Sequence, residues 1–282
     1  MNLFPSEKPD YRARIERARL LSARYPFAAE VLRFYEGVAK FQGELFEQLN
    51  SRSSAPAATT EPGKLRSQHR PKSPRQHFVA LLKLLEKFAP SPIRHAAARL
   101  AKIESSEFDM RFASCWSGGR ANSDSDAAAE QDRIVEDLIF RIFLQPEAEF
   151  FASSMEIHEL GSSGRTCPRC ESLPLLGVLR PESDGAKRFL MCSFCLQEWE
   201  SRRIFCASCG EEDEKKLPVY VAEQFPQIRV ECCDTCKFFL RTVDLLKEGH
   251  AEPLVDDLAA IPLTLWAHEH SYSRIAPNLL GS

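Results

Sequence analysis

No stretch of the 282 residues stays apolar for anything near the roughly 18 positions that a membrane helix needs. The richest stretch, Ile134 to Leu144, is interrupted by Glu136, Asp137 and Arg141, so no membrane insertion is expected. The opening, MNLFPSEKPDYRARIE, is charged within its first ten residues and has no apolar core of the kind a secretory leader carries. Excess positive charge is missing too: the formal net charge is −3, which offers a polyanion nothing to hold. Together these absences predict a soluble, cytoplasmic protein.

In bulk the composition is ordinary. With 44% hydrophobic and 27% charged residues, the chain can bury the core of one large or two modest domains. Residues 1–160 read as an all-helical domain. Val31, Phe34, Val38, Phe41, Leu45 and Leu49 recur at three- and four-residue steps, which gives one apolar helix face. Phe78, Leu81, Leu82, Leu85 and Phe88 form a second stripe, stopped by the breaker Pro90-Ser91-Pro92. Ile134, Val135, Leu138, Ile139, Ile142 and Phe143 form a third, expected to end before Pro146. Between the first two lies Ser51 to Pro74, with four prolines, no aromatic residue, and Arg52, Lys64, Arg66, Arg70 and Lys72 against Glu61. It reads as a flexible basic loop; a basic docking arm is the alternative.

Past Arg165 the texture changes. Leu173 to Leu179 and Lys187 to Cys192 read as strands around a turn at Arg180 to Gly185, and Leu217 to Val221 with Ile228 to Cys232 as a second pair. Helix is expected again over Phe238 to Lys247 and from Leu254 onward.

Nine of the ten cysteines fall between Cys167 and Cys236. In a reducing compartment, cysteines at short spacing point to metal or redox chemistry rather than to disulfides. Eight of them form CxxC pairs: Cys167/Cys170, Cys192/Cys195, Cys206/Cys209 and Cys233/Cys236. Two intervening residues let one tight turn aim both sulfurs at a single ion, and two such turns close a tetrahedron at about 2.3 Å per bond. One CxxC also suits a redox motif; four so close together are a far more specific signal. Each long gap, 21 residues after Cys170 and 23 after Cys209, holds one expected hairpin, whereas only 10 residues separate Cys195 from Cys206. This favours a tandem arrangement, with Cys167, Cys170, Cys192 and Cys195 in a unit at 165–200 and Cys206, Cys209, Cys233 and Cys236 in a unit at 201–240. An interleaved pairing is the alternative. Residues 241–282 complete the chain as a C-terminal helical segment, and the fold class is α+β.

Four thiolates suit zinc or a single rubredoxin-type iron, and spacing does not separate the two. A fully ligated ion has no open position for Lewis-acid hydrolysis, so neither catalysis nor a small-molecule substrate is expected. From Cys167 to Cys236 there are nine Lys/Arg and twelve Asp/Glu, a formal −3. Two four-thiolate sites, each about −2, bring that patch to about −7, which repels phosphate and argues against a nucleic-acid partner. Cys232 and Cys115 are left over and read as small packed residues, with a reactive thiol or substitute ligand as the alternative for Cys232. His268 to His270 read as surface histidines, since alternate helix positions diverge. Asp256 and Asp257 form either an acidic docking surface or a favourable first helix turn.

The chain resembles the formate dehydrogenase accessory protein FdhE family. The resemblance is carried by Cys167-Pro168-Arg169-Cys170 with Ser172-Leu173-Pro174, and by Cys192-Ser193-Phe194-Cys195 with Glu198-Trp199. Arg203-Ile204-Phe205-Cys206, Cys233-Asp234-Thr235-Cys236-Lys237, Asp256-Asp257-Leu258-Ala259 and Tyr272 to Leu279 extend it. It implies a cytoplasmic maturation factor, not an enzyme, that binds the catalytic subunit of respiratory formate dehydrogenase. It further implies two rubredoxin-like sites holding two metal ions on the eight paired cysteines, iron by family and zinc as the alternative. A rubredoxin-type electron-transfer protein is the second reading. Two residues depart from the family pattern. Glu171 stands where glycine is frequent after the first knuckle, so some strain is expected there. Pro262 should kink or restart the helix that follows Asp257.

Overall fold

The computed structural model describes residues 8–52, 64–71, 75–118, 127–155, 164–183 and 185–278. Among these residues seven α-helices come first: α1 (Tyr11–Arg24), α2 (Ala29–Arg52), α3 (Leu65–Gln68), α4 (Arg75–Phe88), α5 (Ser91–Leu100), α6 (Ser105–Ser117) and α7 (Ala127–Ser153). Local chemistry sets their ends. The Asp10 carboxylate accepts from the Ala13 amide and caps α1. Pro90 stops α4, and Pro92 sits in the first turn of α5, where a missing N–H costs nothing.

The stripe in α7 does not end at Pro146. The helix runs on to Ser153 with the proline inside it. Proline has no N–H to give the carbonyl four residues back, that of Ile142, and the Gln42 side chain from α2 fills the vacancy, its Nε2 donating to Ile142 O at 2.8 Å. A partner 100 positions away therefore removes much of the reason for the helix to break.

The second half forms one sheet of strands β1 (Pro174–Glu182), β2 (Gly185–Cys192), β3 (Glu198–Glu200), β4 (Val219–Val221), β5 (Ile228–Cys232) and β6 (Phe238–Asp244), in the order β3-β2-β1-β6-β5-β4. A short β7 (Ser273–Arg274) pairs with β6. The first expected hairpin forms with longer strands than anticipated: Glu182 pairs with Gly185, so Arg180 to Glu182, expected in the turn, belong to the strand; residue 184 lies outside the described residues.

Phe238 to Asp244, expected as helix, is a central strand. It lies antiparallel to β5 and parallel to β1, and it joins the two hairpins. Its register sets Gly177 against Thr242, and a Cβ on Gly177 would run into the Thr242 hydroxyl; only glycine allows this approach. Helices return as α8 (Pro253–Ala259) and α9 (Ile261–Glu269), the second restarting with Pro262 in its first turn. Mixed α+β is the fold class.

Helices and sheet share a core. Leu32, Val38, Phe78, Ile139 and Phe143 belong to the same buried cluster as Val178, Ile228, Phe239, Val243 and Leu258. Buried ion pairs cross the same seam. Arg17 of α1 grips Asp256 of α8 with two bonds of 2.7 and 2.8 Å, and Asp257 takes Arg241 Nε and Arg274, both at 2.8 Å. Burial pushes the Asp257 carboxyl up, but the two guanidinium groups outweigh it and hold it below the ordinary carboxylate range. Asp256 and Asp257 are thus fully buried, and an acidic docking surface at these positions is ruled out.

Candidate metal centre

Each CxxC pair opens a tight loop with a repeating backbone pattern. The first cysteine's amide donates to the carbonyl five residues on: Cys167 to Ser172, Cys192 to Gln197, Cys206 to Glu211, Cys233 to Phe238, all at 2.8–3.0 Å. In three of the four, the residue after the second cysteine donates back to the first, as Glu171, Gly210 and Lys237 do at 2.8–2.9 Å. Closing the loop this way forces that residue into the left-handed region. Glu171, Leu196, Gly210 and Lys237 have φ of 62°, 52°, 86° and 60°. Only one of the four is glycine, so the strain expected at Glu171 is shared by Leu196 and Lys237, at roughly 1–2 kcal/mol each. Turn amides also reach the sulfurs: those of Phe194 and Cys195 lie 3.3 and 3.4 Å from Cys192 Sγ.

The sulfurs converge in tandem. Cys167, Cys170, Cys192 and Cys195 form one quartet and Cys206, Cys209, Cys233 and Cys236 the other, with all sulfurs in each within 4.8 Å of one another. The interleaved pairing is not adopted. In the first quartet Sγ–Sγ distances of 3.4, 3.6 and 3.7 Å are found, and in the second two of 3.7 Å. Disulfide sulfurs would be about 2 Å apart. A tetrahedral ion with four bonds of about 2.3 Å needs sulfurs about 3.8 Å apart. The donor set and its spacing fit a four-coordinate zinc or iron ion, and each quartet could hold one.

The surroundings of the two quartets differ. All four cysteines of the first are 0–2% exposed and share a core with Trp116, Leu144, Ala148, Phe194 and Trp199. Over it lies α3, from the stretch read as a flexible loop; residues 53–63 and 72–74 of that stretch lie outside the described residues. Leu65 is fully buried and its amide donates to Arg169 O at 3.0 Å. Arg66 donates to Cys170 O, Ser172 Oγ and the carbonyls of Cys115 and Trp116, while its guanidinium sits 4.1 Å from the Phe194 ring centroid. Among the described residues the second quartet has no such cover: Cys209 is exposed and Cys236 half-buried.

Titration follows this environment. Burial pushes the Cys167 and Cys195 thiols well up, while at Cys170 the same burial is outweighed by hydrogen bonding with Cys167, Cys192, Cys195 and Ser172, which holds it well down. A low thiol beside two raised ones is what sulfurs sharing a site produce, and a bound cation would favour the thiolate form.

Comparison with known proteins agrees with this geometry. The FdhE central domain matches residues 166–203 and the FdhE C-terminal domain residues 204–280. A protein FdhE homolog from Aquifex aeolicus is 22% identical over 295 aligned positions, covering all of this chain and 98% of that relative. One from Pseudomonas aeruginosa is 36% identical over 121 residues, 40% of this chain and 38% of its own length. The family this chain matches over residues 166–280 is FdhE. The crystal structure of the FdhE protein from Pseudomonas aeruginosa has the same fold, with a TM-score of 0.67 at 23% identity over 97% of both chains. The boundary between the two FdhE domains falls between the quartets, so each domain holds one.

The remaining candidates stand apart from the quartets. Cys232 is buried on β5, its thiol pushed up to about 12 by burial, and Cys115 is pushed up to about 11 by the same cause, which disfavours the reactive thiolate at neutral pH. His268 and His270 are exposed. Leu65 carried no expectation from the sequence, and Arg66 was read only as one charge of a basic loop, not as a cover for the first quartet. The one signal they gave was an isolated leucine in an otherwise polar stretch.

Proposed function

We propose that this chain is an accessory protein of respiratory formate dehydrogenase, binding the catalytic subunit in the cytoplasm and needed for its activity. The observation that carries the reading is the contiguous match of two FdhE domains over residues 166–280, each falling on one converged cysteine quartet. In this reading all eight paired cysteines hold metal: Cys167, Cys170, Cys192 and Cys195 one ion, and Cys206, Cys209, Cys233 and Cys236 another. Iron follows from the family; zinc is the alternative. Bound ions would supply cross-links between hairpins and, if iron, a one-electron couple. Four thiolates fill a tetrahedral ion, so the chain itself turns over no substrate. Ten free thiols are in keeping with a reducing compartment.

The reading is tested by capture and by deletion. Tagged protein should retain the formate dehydrogenase catalytic subunit, and a strain lacking the gene should lose formate dehydrogenase activity. No capture together with normal activity would sink it. The second reading, a rubredoxin-type electron carrier, is favoured by the exposed Cys209, because a carrier needs its sulfurs within reach of a partner. Elemental analysis of protein purified without air decides its fate: zinc alone ends it.

A further inference from the structure

We infer that the two quartets differ in kind, the second being an exchanging site whose ion is open to substitution by an incoming thiolate or chelator and the first a closed one. The inference rests on the metal reading of the eight cysteines.

Substitution at a four-thiolate ion needs a path for the entering ligand and room for a leaving sulfur. At the first quartet both are restricted among the described residues: an open cavity borders Arg66, Cys170, Ser172 and Phe194, but all four cysteines are 0–2% exposed. Its sulfurs are buried among Trp116, Phe194 and Trp199, and the side towards α3 is closed by Arg66. That guanidinium ties Cys170 and Ser172 of the first knuckle to Cys115 and Trp116 of α6 and covers Phe194 of the second. Removing a sulfur there means lifting a helix, an arginine and an aromatic wall together.

At the second quartet the buried side is held by Cys206 and Cys233, 6% and 1% exposed, while Cys209 and Cys236 face outward. Across that outer side the two knuckles are joined by a hydrogen bond at the surface, from Thr235 Oγ1 to Glu211 Oε2 at 2.6 Å. Glu211 also meets Lys216 at 3.5 Å, a surface pair that water screens. Local openings of such exposed hydrogen bonds are far more frequent than openings of a packed core. The step is a ligand exchange: a bond from the ion to the entering sulfur or nitrogen forms, the bond to Cys209 Sγ breaks, and the released thiolate takes a proton from water. No electron moves.

The test uses the full chain loaded with zinc and challenged with excess EDTA, with retained ions counted by native mass spectrometry. One ion should leave at least about tenfold faster than the other, the ratio expected when a surface hydrogen bond opens in place of a core. Iodoacetamide present during the fast phase should label Cys209 and Cys236 before any cysteine of the first quartet, a readout that needs no variant. Thr235→Val should speed the fast phase several-fold and leave the slow one unchanged. Equal rates for both ions, or first-quartet labelling in the fast phase, would overturn this inference alone. A chain that takes up no zinc or iron would overturn the metal reading with it.

Discussion

The two cysteine quartets share their backbone pattern and little else. Both are made of CxxC loops closed by the same amide-to-carbonyl bond and a left-handed residue, and each joins the two ends of a hairpin. One lies in the core under α3 and between aromatic rings, the other at the surface. A coordination loop is thus encoded within about ten residues, whereas its burial depends on segments far away in sequence: Leu65 and Arg66 from one side, Trp116 and Leu144 from others. Near identical loops can then differ in stability and in access.

The sharpest way to break this comparison is to remove one sulfur from each quartet. Cys195→Ser leaves a hole in a buried site, and losing a buried structural ligand should cost about 4 kcal/mol or more, roughly 10 °C in melting temperature. Cys209→Ser, where water can replace the lost sulfur, should cost about 1 kcal/mol, a few degrees. Circular dichroism melts of the two variants would check the ranking, and a larger drop for Cys209→Ser would reverse the assignment.

Leu65 tests the cover itself. Its side chain is fully buried, and Leu65→Ala should cost about 3 kcal/mol through lost transfer energy and a cavity. The variant should also render Cys170 and Cys192 open to alkylation under conditions where the native protein is not. Stability lost without any gain in labelling would show that α3 anchors the chain but does not shield the site.

The opposite flank of the first unit is held by charge, and there pH is the probe. Arg14 of α1 pairs with Glu149 at 2.9 Å and approaches Glu252 at 3.7 Å, while Arg180 grips Glu198 of the sheet at 2.7 Å. Burial pushes the Glu252 carboxyl up to about 7, with Arg14 only partly opposing it. The folded state therefore holds this proton more tightly than the unfolded state. The resulting stability is complete below the ordinary glutamate range, near pH 4.5, and is lost as pH rises through 7. Its side chain is 24% exposed, which reduces the effect to about 2 kcal/mol. Glu252→Gln should remove this slope, so that the variant gains on the native protein between pH 5 and 8. Parallel stability profiles would show the carboxyl to be solvated.

How much of this was legible in sequence follows from how local each feature is. The knuckles and the strand Ile228–Cys232 could be read because neighbours within a few positions determine them. Hairpin placement was enough to choose the tandem pairing. The segment from Phe238 to Asp244 misled because Arg241 and Asp244 look like the polar face of a helix. In the fold both are buried and paired, Arg241 with Asp257 and Asp244 with Arg229, and β1 and β5 flank the strand on either side. Pro146 misled for a similar reason, since its rescue by Gln42 is a tertiary event. Asp256 and Asp257 looked exposed because charge usually is; only the arginines brought by α1, β6 and β7 make their burial tolerable.

The smallest expected effect concerns what the quartets have in common. At φ of 62°, Glu171 adopts a conformation that costs a side chain about 1 kcal/mol more than glycine, and Gly210 adopts the same region at 86° without that cost. Glu171→Gly should therefore stabilise the chain by up to about 1 kcal/mol, less the backbone entropy that glycine adds to the unfolded state. Gly210→Ala should destabilise it by about the same amount. No clash confounds the second change, for a Cβ there would meet only Arg165 and Phe205 carbons at 3.9 Å. Denaturant melts would resolve both if the two shifts are opposite in sign. Two shifts of the same sign would mean that the left-handed closure is not what sets the energy of these loops, and that the likeness between the quartets ends at their shape.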